Sequence, residues 1–512
     1  MSVTSEKKNR FFGIILSFSL LAISLLGSFF VTRVLLKNIG DVNYGLFSFC
    51  NSITSWLLLL SEALGASYVF FATKEAKKNG NEAVTNSIFA KSLSALSALI
   101  IVLSASTMLI MKYSGFQFKN YSKEQNDLIF WLLFLSGLNV AVNVFFSSFK
   151  VFLNYKKAFI FIKSVAIGVS VLTYAFDIII AVFTHSILLI ALATATISLI
   201  SGITILLFAL CIKRMSFSKQ KIRYLKADFT SIIRYSSILL ITIAVGNLDA
   251  NIDLTLLGIM VNAESVTMYR LAVVFMAYLT SLSWTFLEIM RPTIHELYSD
   301  GNIEEANRVF LKICKIQSIV ILLVIGGFIS CGYHFVPIWI GESKIMVYFY
   351  STALFIVKIV PLTTQAIDEA FRATNKYKTF MVFYSLSMIV NFLLSLLLIV
   401  LLKQELAVWA CVIGTVIPTF IFNWIIIPMI SSRIVKLPMN KYYLQLLKNM
   451  GIAILAILPA LLVAFFLHGA NVFMPIKVVI EGITFVLIYT IGVLVFDKAI
   501  VKETFQRYMK KN

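Results

Sequence analysis

Long apolar runs alternate with short polar gaps along the whole 512-residue chain. A helix needs roughly 20 apolar residues to cross a hydrocarbon core. Fourteen runs qualify, at 11–36, 43–71, 84–111, 127–151, 158–183, 186–212, 229–259, 263–291, 308–337, 345–372, 377–402, 406–431, 447–468 and 472–497. Several exceed the minimum, which predicts tilt or protrusion into water. The pattern predicts an all-α polytopic membrane protein with about 14 transmembrane helices.

Composition agrees: 60% of residues are hydrophobic and 13% are charged, about half the charged share of a soluble domain. The net charge of +20 raises nucleic acid as a partner, but its distribution argues against that. Lys and Arg gather in the gaps on one side, beginning with Lys7, Lys8 and Arg10 at the N-terminus. That is the positive-inside bias, and it predicts a multi-pass membrane protein with both termini cytoplasmic. The richest inner loop is 213–226, with Lys213, Arg214, Lys219, Lys221, Arg223 and Lys226, read as a topology signal beside anionic lipid. The first apolar run is too long for a cleavable signal peptide and reads as the first span. Five scattered cysteines and four isolated histidines show neither a disulfide framework nor a zinc pattern, so no metal is expected. The gaps are too short for a soluble catalytic domain. Function is therefore expected inside the helix bundle, at its mouths or with a partner.

A weak echo links two stretches. Arg33, Gly40 and Tyr44-Gly45-Leu46 join spans one and two, while Asp253, Leu257-Gly258 and Tyr269-Arg270-Leu271 join spans seven and eight. An offset of six spans preserves orientation, which predicts parallel repeats. The expected organisation is two pseudo-symmetric six-helix lobes around a central cavity plus two C-terminal helices. The lobes are residues 1–226 and 227–440; the last two helices and a cytoplasmic tail occupy 441–512.

Polar residues at helical spacing mark faces that do not meet lipid. Span two carries Ser48, Ser52, Ser55 and Glu62; span four carries Ser136, Asn139, Asn143, Ser147 and Lys150. Span five carries Lys163, Ser170, Tyr174 and Asp177; span eight, Arg270, Ser281, Trp284, Glu288 and Arg291; span ten, Lys358, Gln365, Glu369 and Arg372. Hydrogen bonding between helices accounts for many such Ser and Asn residues. The charges cost more, on the order of 2.5–3.5 kcal/mol each at bilayer depth. Lys358 lies mid-span, before Pro361, which removes a backbone donor and predicts a kink. With Arg33, Lys91, Lys163 and Arg270 it would give a cationic lining suited to an anionic substrate; Asn139, Asn143, Tyr174 and Gln365 would supply polar contacts. For Lys91 and Lys163 the competing reading is snorkelling to the interface.

Asp249 and Asp253 sit one turn apart in span seven, and Asp177 lies in span five. Each is a candidate to bind Na+ or H+ as a coupling ion, or to pair with Arg33 or Arg270. Gly246 is a candidate point of helix loosening. Glu288, Asp368 and Glu369 near the inner ends are expected to meet basic residues there.

These features resemble the polysaccharide flippases of the MOP exporter superfamily. The first-hairpin residues above carry the resemblance, with Glu62-Ala-Leu-Gly65 late in span two and Arg234-Tyr235-Ser236, Asp253 and Leu257-Gly258 around span seven. Wzx-type O-antigen and capsule transporters belong here, related to lipid II flippases and MATE exporters. The resemblance implies a V-shaped cavity and alternating access. It implies that a polyprenyl-diphosphate-linked oligosaccharide, the repeat unit of an O-antigen, lipopolysaccharide, capsule or exopolysaccharide, moves from the inner to the outer leaflet. Partners would be that lipid-linked oligosaccharide, membrane lipid, and the glycosyltransferases and polymerase of the same pathway. No enzyme activity and no cofactor beyond a coupling ion are expected, and no phosphate-loop motif occurs. Two other readings are a MATE-like cation/drug antiporter, which predicts an acidic rather than basic lining, and a membrane oligosaccharide polymerase, which commonly has a larger outer loop.

Overall fold

The computed structural model describes residues 3–80, 82–114, 116–218, 226–468 and 472–496. The centre of the expected basic loop, with Lys219, Lys221 and Arg223, and the tail after 496 lie outside them. The described chain is helical: α1 (Val3–Ile39), α2 (Asp41–Thr54), α3 (Leu59–Asn79), α4 (Ala83–Tyr113), α5 (Lys123–Tyr155), α6 (Phe159–Thr184), α7 (Ile187–Leu207), α8 (Lys226–Met260), α9 (Ala263–Ser299), α10 (Ile303–Ile340), α11 (Met346–Thr363), α12 (Ala366–Ala373), α13 (Tyr377–Leu401), α14 (Ala407–Thr419), α15 (Ile427–Ile434), α16 (Met439–His468) and α17 (Met474–Phe496). Fourteen stretches among the described residues are long and apolar enough to span a membrane, as the apolar pattern predicts.

Several of the spans are compound. A 3-10 turn, Ser55–Leu58, joins α2 to α3, and a π-helical segment, Phe420–Ile426, joins α14 to α15. The span Glu342–Ala373 breaks at Thr364, between α11 and α12, just after Pro361. Connections are tight. Gly40, with φ of 88°, is the single residue between α1 and α2, a conformation open to glycine but not to side chains with a Cβ.

Packing divides the chain into two compact units, Met1–Arg270 and Leu271–Asn512. The division falls beyond the 226/227 boundary expected from the repeat, because α8 packs on α2 and α3 within the first unit. A repeat boundary concerns internal symmetry and a packing boundary concerns contact, so the two need not coincide.

In the first unit, two glycines of the echo stretches, Gly45 and Gly258, are points of close approach. A Cβ on Gly45 would meet the Ala263 main-chain oxygen at 2.0 Å, and one on Gly258 would meet the Phe49 ring at 1.9 Å. Tyr121, in the loop after α4, donates its hydroxyl to the Gly258 oxygen at 2.7 Å, and burial pushes its phenol pKa up. At the opposite end, the Glu75 carboxylate accepts from the amides of Val84 and Thr85, filling donors that the start of α4 leaves open. The described start of the basic loop is tied there too: Asn86 donates to the Ser216 oxygen and the Ser218 amide donates to Ser87.

In the second unit, the core draws on α9 to α12 and α15 to α17, with Leu287, Phe310, Ile321, Val360, Phe371, Tyr442 and Phe485 fully or almost fully buried.

Candidate functional site

In the first unit, the polar stripe of span two faces α8. Ser52 and Thr255 share a hydrogen bond of 3.0 Å. Ser55 donates to Asn247 Oδ1 at 3.2 Å, while Asn247 returns a bond to the Ser55 carbonyl and accepts one from Asn251. Farther along, Ser236 donates to Ser67, and Tyr235 stacks on Phe70. This seam satisfies polar groups that would otherwise face hydrocarbon. Asp253 is buried at 4% exposure and accepts the hydroxyl of Tyr269, on α9, at 2.6 Å. Asp249, one turn earlier, is half-buried.

The cations of this unit stand differently. Arg33 and Lys91 are exposed, and Lys163 and Arg270 are half-buried. Among the described residues none of the four has an acidic side chain within ion-pair distance. They lie roughly 6 to 12 Å inside the nearest ends of α1, α4, α6 and α9 at 1.5 Å of rise per residue. A snorkelling Lys or Arg reaches water from there, as does a side chain facing a wet interior.

Asn143, exposed near the middle of α5, donates to the side chain and carbonyl of Asn139 at 3.1 and 2.9 Å. An exposed amide pair at that depth calls for a polar neighbour rather than lipid. Tyr174 packs its ring against Gly27 of α1 and donates to the Ser24 oxygen. One turn on, Asp177 Oδ1 is buried without a hydrogen-bond partner among the described residues.

In the second unit, Lys358 is half-buried midway along the span Glu342–Ala373. Pro361 has no N–H, so the carbonyl of Val357 four residues earlier loses its helical donor. Trp424, in the π-helical segment, supplies one: its indole N–H reaches the Val357 oxygen at 2.7 Å. The Trp424 carbonyl is itself left open by Pro428 four residues later, and the Tyr443 hydroxyl donates to it. Two proline defects are thus closed in series by side chains from neighbouring helices. Gln365 stands in the break between α11 and α12, its Oε1 buried with no hydrogen-bond partner among the described residues.

Toward the end of α9, Glu369 is 2% exposed and binds Arg291 at 2.8 Å and His295 at 3.0 Å. Asp368 pairs with Arg372, whose guanidinium also lies over the Tyr377 ring. The acids expected to meet basic partners here do so, except that Glu288 is exposed.

Three arrangements escape the sequence reading. Trp424 gave no signal beyond its proximity to two prolines. Asn391, Ser395 and Thr415 form a buried polar seam between α13 and α14. His334 of α10 and Glu481 of α17 pair at 2.8 Å across 147 positions, both buried. Among the described residues, no group of three or more His, Cys, Asp or Glu is placed to hold a metal ion.

Comparison with protein families matches residues 13–297 to the polysaccharide biosynthesis protein family. The chain belongs to that family. Comparison with curated protein sequences gives no match. Among solved structures, the chain is similar to the lipid II flippase MurJ in an inward closed conformation, with a TM-score of 0.69, 12% identity and coverage of 95% of this chain and 99% of that one. It is also similar to an inward-facing multidrug resistance MATE family transporter of the MOP superfamily, with a TM-score of 0.62, 12% identity and coverage of 84% and 99%. A MOP superfamily transporter from Pyrococcus furiosus, described as having a binding pocket of reverse polarity, has a TM-score of 0.55, 14% identity and coverage of 83% and 94%. At these identities the likeness concerns the fold alone: a multi-pass membrane protein whose fourteen candidate spans are arranged much as in these solved structures.

Proposed function

We propose that this protein flips a polyprenyl-diphosphate-linked oligosaccharide from the inner to the outer leaflet of a bacterial cytoplasmic membrane by alternating access. One observation carries the reading: Lys358 stands midway along a spanning helix, on a proline-broken segment that Trp424 holds together. A cation at that depth is costly unless it serves a polar pathway or partner. It suits a substrate with an anionic headgroup and an apolar tail that stays in lipid.

In this reading Lys358, Arg270, Arg33, Lys91 and Lys163 meet the diphosphate during its passage through charge-assisted hydrogen bonds. Asn139, Asn143, Tyr174 and Gln365 bond to or stack on the sugars. An anion moving outward across an inside-negative membrane gains about 2.3 kcal/mol per charge per 100 mV. The potential therefore supplies drive without a nucleotide site. Asp177, Asp249 and Asp253 are the carboxylates through which Na+ or H+ would add to it. The partners are the enzymes that build and consume the lipid-linked unit.

The rival is cation export, as in the MATE-type neighbours. Equilibrium binding to protein in nanodiscs separates the two. The flippase reading expects polyprenyl-diphosphate oligosaccharide to bind at least tenfold tighter than the corresponding monophosphate, with the difference lost in Lys358→Ala. Saturable binding of quaternary ammonium compounds without binding of the lipid-linked sugar would favour the exporter.

A further inference from the structure

The pairing of α10 with α17 contains ionisable groups that the transport reading does not use. Glu481 is 0% exposed and His334 2% exposed, and His334 Nδ1 lies 2.8 Å from Glu481 Oε1. Lys477, 7% exposed, precedes Glu481 by one helical turn on the same face of α17. The other carboxylate oxygen, Oε2, is buried with no hydrogen-bond partner among the described residues.

Three groups able to carry charge are thus gathered between two spanning helices. Farther along the same contact, Phe485 packs against Gly326 and Tyr489 donates its hydroxyl to the Ile319 oxygen at 2.9 Å. Burying ionisable side chains in a bilayer is expensive and is retained where they pair or move charge. The other titratable groups facing the pair are few. Cys331 precedes His334 by about one turn on α10, Tyr348 of α11 packs against Gly332, and the Tyr333 ring meets the His334 ring edge-on. Tyr348 itself donates to the Ile329 oxygen. Over 451–467, α16 offers only apolar side chains and glycine.

We infer that His334, Glu481 and Lys477 form a proton-binding site at the junction of α10 and α17. In one state the neutral imidazole donates its Nδ1–H to the ionised carboxylate, and Lys477 balances the charge. In the other, a proton from water occupies Nε2, and imidazolium and carboxylate form an ion pair. One N–H bond forms, no other covalent bond changes, and the cluster moves from net zero to net +1. Both side chains lie about 10 Å from the ends of their helices at Ile340 and Met474. Proton exchange sets how tightly α17 holds to α10. The inference does not depend on what the protein carries.

Ring-labelled histidine NMR of the full chain in nanodiscs tests it directly, because the sequence has only four histidines. The His334 signal is the one lost in His334→Gln. If that variant does not fold, it is the signal that persists in each of His185→Gln, His295→Gln and His468→Gln. The expected result is a single protonation step for His334 between pH 5 and 9. Its midpoint should fall by about one unit or more in Glu481→Gln and rise in Lys477→Met, as loss of a neighbouring anion or cation requires. A ring that keeps one charge state from pH 5 to 9, or a midpoint indifferent to both substitutions, overturns the proposal.

Discussion

Trp424 donates its indole N–H to the main-chain oxygen of Val357, the oxygen that Pro361 leaves without a helical donor. Lys358 is the next residue, so a hydrogen bond between two spans sets the backbone that presents a mid-membrane cation. Losing it leaves a buried carbonyl unsatisfied, at a cost of about 1–3 kcal/mol. Trp424→Phe should therefore lower the melting temperature in detergent and reduce transport. Trp424→His, which keeps a ring N–H, should recover part of both. Unchanged stability in Trp424→Phe would mean that another donor closes the break.

Lys358→Ala and Arg270→Ala should each reduce translocation by about tenfold or more, the scale of one lost charge-assisted hydrogen bond. Both proteins should insert and purify normally, since neither side chain is fully buried. Lys358→Arg should keep more activity than Lys358→Ala. Near-normal transport by both alanine variants contradicts a cationic path.

The spans were legible because each apolar run is long enough to cross a hydrocarbon core and polar gaps separate one run from the next. The stripe Ser52–Ser55 was legible as helix-to-helix bonding, though not its partner α8, since spacing along one helix says nothing about which neighbour it meets. Pro361 and Pro428 advertised missing donors in the sequence, but the groups that fill them, Trp424 and Tyr443, come from elsewhere in the chain. His334 and Glu481 looked isolated for the same reason: 147 positions separate them, and only the packing of α17 on α10 brings them together.

Glycine substitutions separate close packing from looseness. Gly45→Ala drives a methyl into the Ala263 backbone and should destabilise by about 1–3 kcal/mol. Nothing lies within 4 Å of a Cβ at Gly246, within α8, so Gly246→Ala should be neutral or stabilise by up to about 1 kcal/mol. Thermal melts followed by size-exclusion chromatography give both values. If Gly246→Ala also slows transport while stabilising the protein, looseness at that point of α8 serves the transport cycle.

Asp253→Asn preserves an oxygen to accept the Tyr269 hydroxyl while removing the charge. Stability should change by about 1 kcal/mol or less, and the Na+ or pH dependence of transport should change if Asp253 binds the coupling ion. Tyr269→Phe is the control that breaks the bond and leaves the carboxylate. An ion dependence identical to wild type in Asp253→Asn assigns the residue to structure alone.

The central claim is that the protein moves an anionic, lipid-linked sugar across the bilayer. Its most direct test is a headgroup-accessibility assay in proteoliposomes, using labelled polyprenyl-diphosphate oligosaccharide with and without an imposed potential. The account predicts protein-dependent movement that is faster with the potential directed to drive the anion outward and is lost in Lys358→Ala. Folded, inserted protein that moves none of several glycan types under either condition would contradict it.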